Sequence, residues 1–312
     1  MNKFWLPAVA AVLSAAVSCV NGPSGEFQFD LLTTNDVHGS WFDSTYVGGQ
    51  VKNSLMAINT YVNEYRDSLG KDNVLLVDAG DCLQGDNAAY YFNYVDTLSP
   101  HLFSRLAAYM KYDAVCVGNH DVETGHPVYD RVAKELKANG IPFLAGNAVR
   151  PDGSTWFDGA KILKRHGVKI AVLGYTNANI RAWLDEPLWK GMEFKSLIPL
   201  VQEDVDRVRA KERPQVVIVA VHSGTGLGDG TIYESQGKDL LRTLRGVDFL
   251  VCSHDHSALA IQHLSDQFRQ PCAQYRPRPH QSHPQGRQGR FQDRRCGHHK
   301  GQCRTCGCRY GS

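Results

Sequence analysis

Five stretches of this chain end apolar runs with residues that ligate metals or move protons. They are Asp36-Val37-His38, Gly80-Asp81, Gly118-Asn119-His120-Asp121, His222-Ser223-Gly224 and Ser253-His254-Asp255-His256. Singly each is common, because a lone His after a strand is more often a satisfied core or surface residue. Recurrence after five successive apolar runs points to convergence at one edge of a sheet, where α/β proteins place their chemistry. Mixed imidazole and carboxylate suits borderline cations such as Zn²⁺, Mn²⁺ or Fe. Two such cations held close together repel each other, and a shared anionic ligand offsets that repulsion. Asp81, on a Gly-flanked turn, is the natural bridge. Asn119 adds an oxygen without adding charge and so keeps the metals Lewis-acidic. His38 and His256 each sit two residues from another ligand, a spacing that lets an extended segment bring both to one site. A two-metal arrangement clamps a phosphate and activates a water for in-line attack.

The elements that must position these residues are legible as periodicities. Residues 27–34, 73–77, 113–117, 142–149, 215–221 and 247–252 read as strands, and 156–176 as a hairpin. The continuous apolar character of 73–77 and 215–221 predicts strands covered on both faces. Val51, Leu55, Ile58 and Val62 fall at helical spacing. Ser99-Pro100 predicts a helix start, with Ser99 as cap, running to about Lys111. Residues 129–138, closed by Asn139-Gly140, and residues 196–212 and 234–245 read as further helices. Alternation of the two kinds of element predicts a layered α/β fold.

The ordered set Asp36-x-His38, Gly80-Asp81, Gly118-Asn119-His120-Asp121, His222 and Ser253-His254-Asp255-His256 resembles the calcineurin-like metallophosphoesterases. The runs Thr33-Thr34-Asn35-Asp36-Val37-His38-Gly39 and Gly80-Asp81-Cys82-Leu83-Gln84-Gly85 look like the catalytic domain of secreted bacterial 5′-nucleotidases. That group also includes UDP-sugar hydrolases and cyclic-nucleotide phosphodiesterases. The resemblance covers about residues 27–262 and implies a four-layer α/β/β/α sandwich of the metallophosphoesterase type. It implies two divalent ions, Zn, Mn or Fe. One would take Asp36, His38, Asp81 and His256; the other would take Asp81, Asn119, His222 and His254. His120 would not be a ligand. It would stabilise the transition state or protonate the leaving group, oriented by Glu123 where Asp is usual. The implied substrate is a small phosphate ester, in particular a nucleotide. Asp121 reads as a structural group that cages the turn. Ser253 stands where Gly is commoner, which matters only if that position requires positive φ.

Composition bounds the rest. The chain has 312 residues, 42% hydrophobic and 21% charged, normal for a globular protein. The net charge of +2 conceals an uneven distribution. Residues 263–312 hold nine Arg and one Lys against two Asp, so the remaining body is mildly acidic and offers no nucleic-acid surface. Met1-Asn2-Lys3, an apolar run over 4–17 and Ala16-Val17-Ser18-Cys19 form the three regions of a signal peptide spanning 1–18. Cys19, before a flexible linker over 19–26, is the candidate lipidation site. Export to the periplasm or cell surface follows, with a lipid anchor as the membrane contact. Cys82, Cys116 and Cys252 sit in or beside strand ends as small buried thiols.

The domains expected are therefore the signal peptide, the linker, a metallophosphoesterase catalytic domain over 27–262 and a basic tail over 263–312. From Ser265 onward there is no Val, Ile, Leu or Met. Such a segment cannot bury enough apolar area to offset its ordering entropy. Cys296, His298, His299, Cys303, Cys306 and Cys308 fit no familiar zinc spacing. A basic arm binding anions is a second reading; the preferred one is a disordered or aberrant, out-of-frame tail.

The function expected is that of a secreted dinuclear-metal phosphoesterase acting on nucleotides or related esters through metal-activated water. The alternative is a metal-binding remnant without turnover, lacking a C-terminal nucleotide-binding domain. Sequencing the coding DNA tests the tail: an alternative frame after codon 262 should encode an apolar strand. Absence of such a frame would remove the out-of-frame reading.

Overall fold

The structure, a computed structural model, describes residues 25–43 and 54–256, together with backbone strands at 291–295, 298–299, 302–303 and 307–310. The signal peptide, Cys19, most of the 19–26 linker and most of the 263–312 tail lie outside the described residues.

Two sheets stack face to face. The first contains β1 (Asp30–Thr34), β2 (Val74–Asp78), β3 (Ala114–Cys116) and β4 (Phe143–Leu144), all mutually parallel. Phe291–Arg295 pairs antiparallel along the other edge of β1. The second contains β5 (Ala160–Arg165), β6 (Val168–Tyr175), β7 (Val216–Val221) and β8 (Phe249–Cys252), in the order β8-β7-β6-β5. There only β5 runs antiparallel, as the hairpin partner of β6.

Side chains alternate across each strand, and the alternation builds three apolar layers. Leu31, Leu75, Val77 and Cys116 from the first sheet meet Ile170, Val172, Ile218 and Ala220 from the second. On the outer face of the first sheet, Leu32, Leu76 and Val115 pack with α1 (Leu55–Leu69), α2 (Leu102–Met110), α3 (Asn119–Glu123) and α4 (His126–Ala138). On the outer face of the second, Val217, Val219 and Val221 pack against α5 (Leu197–Glu212) and α6 (Gly237–Thr243). The order of layers is helix, sheet, sheet, helix, the four-layer sandwich that the resemblance implies. β7 reads as an unbroken apolar run because both of its faces are covered.

The structure moves several boundaries. α2 starts at Leu102 with His101 as cap, not at Ser99. The His101 ring is fully buried against Trp41 and Phe92, and its Nδ1 accepts the Phe103 N–H at 3.2 Å. Burial of that ring decides the cap, and Ser99 instead donates its N–H to Asp96. α4 starts at His126, with Pro127 in its first turn. The expected strand over 142–149 splits, since Ala148–Val149 leaves the sheet to pair with Glu193–Phe194. Asn119, His120 and Asp121 form the first turn of α3, not an open loop.

Gly174 lies where the two sheets face each other: a Cβ there would meet Leu144 Cβ head-on and Cys116 Sγ at 2.9 Å. Gly174→Ala should cost about 1–3 kcal/mol in urea unfolding; unchanged stability would show slack between the sheets. His101 is held neutral, its pKa pushed down to about 3 by burial and then by Arg131. Its folded pKa lies below the free value of 6.5. Its contribution is therefore complete above pH 6.5 and is lost as pH falls below that. Roughly 2 kcal/mol should go from this group by about pH 5. His101→Asn, which keeps a capping acceptor, should flatten the pH dependence of unfolding between those values; an unaltered slope would contradict it.

Candidate metal centre

Because β1, β2, β3, β7 and β8 run parallel within their sheets, the residues that follow them gather at one edge. Backbone hydrogen bonds fix the loops to one another before any side chain acts. Asp36 N–H donates to Gly80 O at 2.9 Å, His38 N–H to Asp81 O at 2.8 Å and Ala79 N–H to Thr34 O at 2.8 Å. His222 N–H donates to Tyr175 O at 2.9 Å, anchoring the end of β7.

Asp121 ties the second and third loops together. Its carboxylate, fully buried, accepts from the N–H groups of Asp81 (3.0 Å), Cys82 (2.8 Å), Leu83 (2.8 Å) and Gly118 (2.8 Å). Burial, and then the Asp81 charge, push it up to about 6 against the pull of those donors. This is the caging role read from the sequence. Asp78, which sequence reasoning passed over, does the same one turn earlier. It accepts from Thr34 Oγ1 at 2.5 Å, Gly80 N–H at 2.7 Å and Cys82 Sγ at 3.1 Å. Two glycines permit the crowding: a Cβ on Gly80 would strike His222 Nδ1 at 2.6 Å, and one on Gly118 would strike Asp81.

On this frame the sequence-predicted residues assemble into two groups. Asp36, His38 and His256 form one, and Asp81, His222 and His254 the other, with the ligand atoms of each group within 4.8 Å of one another. Asp81 is the member of the second group that reaches toward the first, its Oδ2 3.0 Å from His222 Nε2 and 4.0 Å from His38 Nε2. Asn119 Oδ1 sits 3.0 Å from both His222 Nε2 and His254 Nδ1. His256 Nε2 is 3.5 Å from Asp36 Oδ1 and 2.9 Å from His38 Nε2. Ring nitrogens, carboxylate oxygens and an amide oxygen thus converge on common points. Such a donor set fits cations, which would satisfy every inward-facing lone pair at once.

Outer contacts aim the ligands. His222 Nδ1 donates to Ala79 O at 2.9 Å, which directs Nε2 inward. Ser253 Oγ also donates to Ala79 O, at 2.6 Å, and Ser253 is not among the positive-φ residues, so the absence of Gly there is harmless. His222 is fully buried. Burial opposes its charge, but the Asp81 carboxylate overrides this and pushes it up to about 9. Asp81 is held well below the carboxylate range by His222, against its own desolvation. His38 and His254 are lowered by burial first. The site opens outward, since Asp81 and His222 are buried while His120 and His256 are about 40% exposed.

His120 stands apart from both groups. Its N–H donates to Asp81 Oδ1 at 2.8 Å, and its Nδ1 meets Glu123 Oε2 at 2.6 Å. Glu123 therefore reaches His120 where the family resemblance places an orienting carboxylate. Asp36, His38, Asp81, His254 and His256 all have left-handed backbones, with φ of 50, 47, 64, 89 and 51°. Each costs on the order of 1–2 kcal/mol, and such strain concentrates at functional sites. Trp183, also missed, stacks on His254 with ring centroids 5.4 Å apart; no local sequence signal announces that contact.

Comparison with known proteins agrees with this fold. The chain is 27% identical over 231 residues to the protein UshA of Salmonella pullorum, covering 71% of this chain and 40% of that protein. It is 23% identical over 224 residues to a 5′-nucleotidase of Vibrio cholerae, covering 69% and 38%. The chain thus spans about 40% of the length of the curated relatives it matches. Its fold superposes on the calcineurin-like phosphoesterase YfkN of Bacillus subtilis with a TM-score of 0.68 at 21% identity, covering 76% of this chain and 75% of that one. A 5′-nucleotidase precursor from Thermus thermophilus gives 0.57 at 22% identity, covering 76% and 44%. The calcineurin-like phosphoesterase model matches residues 29–258, and the chain belongs to that family.

Proposed function

We propose that residues 27–262 form a dinuclear-metal phosphoesterase that hydrolyses nucleotides or related small phosphate esters. The observation that carries this reading is Asp81, buried in one donor group and 4.0 Å from His38 of the other. In this reading Asp36, His38, Asp81 and His256 hold one ion, and Asp81, Asn119, His222 and His254 hold the other. When bound there, Zn²⁺, Mn²⁺ or Fe would supply Lewis-acid polarisation of the phosphoryl group and a nucleophile at neutral pH. The chain's own residues do the rest. Asp36 and Asp81 offset the positive charge, and Asn119 completes coordination without adding more. His120, aligned by Glu123, faces the departing oxygen and gives it a proton. Loop positions fixed by Asp121 and Asp78 keep the donors from relaxing apart. The relatives named 5′-nucleotidase support a nucleotide as substrate. Export rests on the pattern of residues 1–19, and incorporation of labelled palmitate that Cys19→Ala abolishes would support the anchor.

The purified chain, loaded with Mn²⁺ or Zn²⁺, should release phosphate from a generic aryl phosphate and lose that activity to a chelator. Asp81→Ala and His120→Ala should each lower kcat/KM by at least about 100-fold. Inactivity of the loaded wild type, or unchanged rates in both variants, would sink the proposal. Comparing AMP, UDP-glucose and 2′,3′-cyclic AMP tests the substrate, with AMP expected to be turned over best.

A further inference from the structure

Trp183 closes the short helix Ile180–Trp183, which follows β6. Its indole lies nearly parallel to the His254 imidazole, at 17° and 5.4 Å between centroids. The contact joins residues far apart in sequence, at the mouth of the metal centre. Trp183 keeps 37% of its surface exposed, although its segment is well anchored. Ile180 is fully buried, Leu184 N–H bonds to Ile180 O at 3.0 Å, and Trp189 Nε1 bonds to Leu184 O at 2.9 Å. Asn177 Nδ2 donates to Glu234 O at 2.7 Å, tying the start of this segment to the loop before α6. The indole is therefore presented to His254 by a firmly held backbone.

His254 needs such support. Its backbone is left-handed, and it follows β8 on the same short turn as the more open His256. Its Nδ1 must face Asn119 Oδ1, now 3.0 Å away, while the His222 ring meets it edge-on at 5.2 Å. The indole face restricts rotation of the imidazole out of this arrangement. It also has a chemical preference. An imidazole that coordinates a cation carries part of its charge, and the electron-rich face of an indole attracts positive charge.

We infer that Trp183 is a positioning residue that holds the His254 ring for one of the two cations and favours the ring in its cation-bound form. This rests on the metal-centre reading above. Phe in its place would keep a weaker face of the same kind, whereas Leu would keep apolar contact but no face.

Calorimetric titration of Mn²⁺ into the metal-free full chain tests the inference. Trp183→Ala and Trp183→Leu should weaken one of two sites by about fivefold to tenfold. Trp183→Phe should stay within about twofold of wild type, and melting of the metal-free variants should be unchanged. Mn²⁺ should alter the tryptophan emission of the wild type, and Trp183→Phe should remove most of that change. The inference is overturned if Trp183→Ala binds both ions as wild type does, or if Trp183→Leu matches Trp183→Phe. A wild type that binds two ions with all variants alike would remove the positioning role alone; a wild type that binds none would remove the metal-centre reading with it.

Discussion

Four backbone N–H groups from two loops converge on the buried carboxylate of Asp121. Everything else at the centre depends on that convergence. It holds the turn after β2 against the turn after β3, and so fixes Asp81 beside Asn119 and His120. A buried carboxylate with four donors is stable only if none of them is lost, because each orphaned group would bear its full desolvation cost. The interaction is rigid for that reason. Asp78 repeats the device one strand end earlier, and the glycines at 80 and 118 make room for both.

That rigidity is needed because the centre opposes its own assembly. Five candidate ligands adopt left-handed backbones, and several imidazoles and carboxylates are packed within hydrogen-bond range. Two stacked sheets with apolar layers on three levels supply the restraint. Within the centre His222 and Asp81 offset each other's charge, one pushed up and the other down.

Much of this was legible in the sequence, for identifiable reasons. β2 and β7 are buried on both faces, so their apolar runs are unbroken and their ends stand out. These ligands follow the ends of β2, β3, β7 and β8 within three residues, which is why Asp81, Asn119, His222 and His254 could be named together. Glu123 was named through the family resemblance, which places an orienting carboxylate at that position after His120. Other features depend on tertiary contacts that no local pattern encodes. Ser99-Pro100 has the composition of a helix start, but burial of the His101 ring set the cap two residues later. The left-handed φ at Asp36 and His38 goes with cross-loop hydrogen bonds, and Trp183 and His254 meet from segments far apart in sequence.

The shared position of Asp81 is the central claim, and metal stoichiometry addresses it directly. Elemental analysis of the chain after loading with Mn²⁺ and removal of free ion should find two ions per wild-type chain and no more than one in Asp81→Ala. A single ion in the wild type, or two retained by Asp81→Ala, would contradict a centre built around a bridging carboxylate.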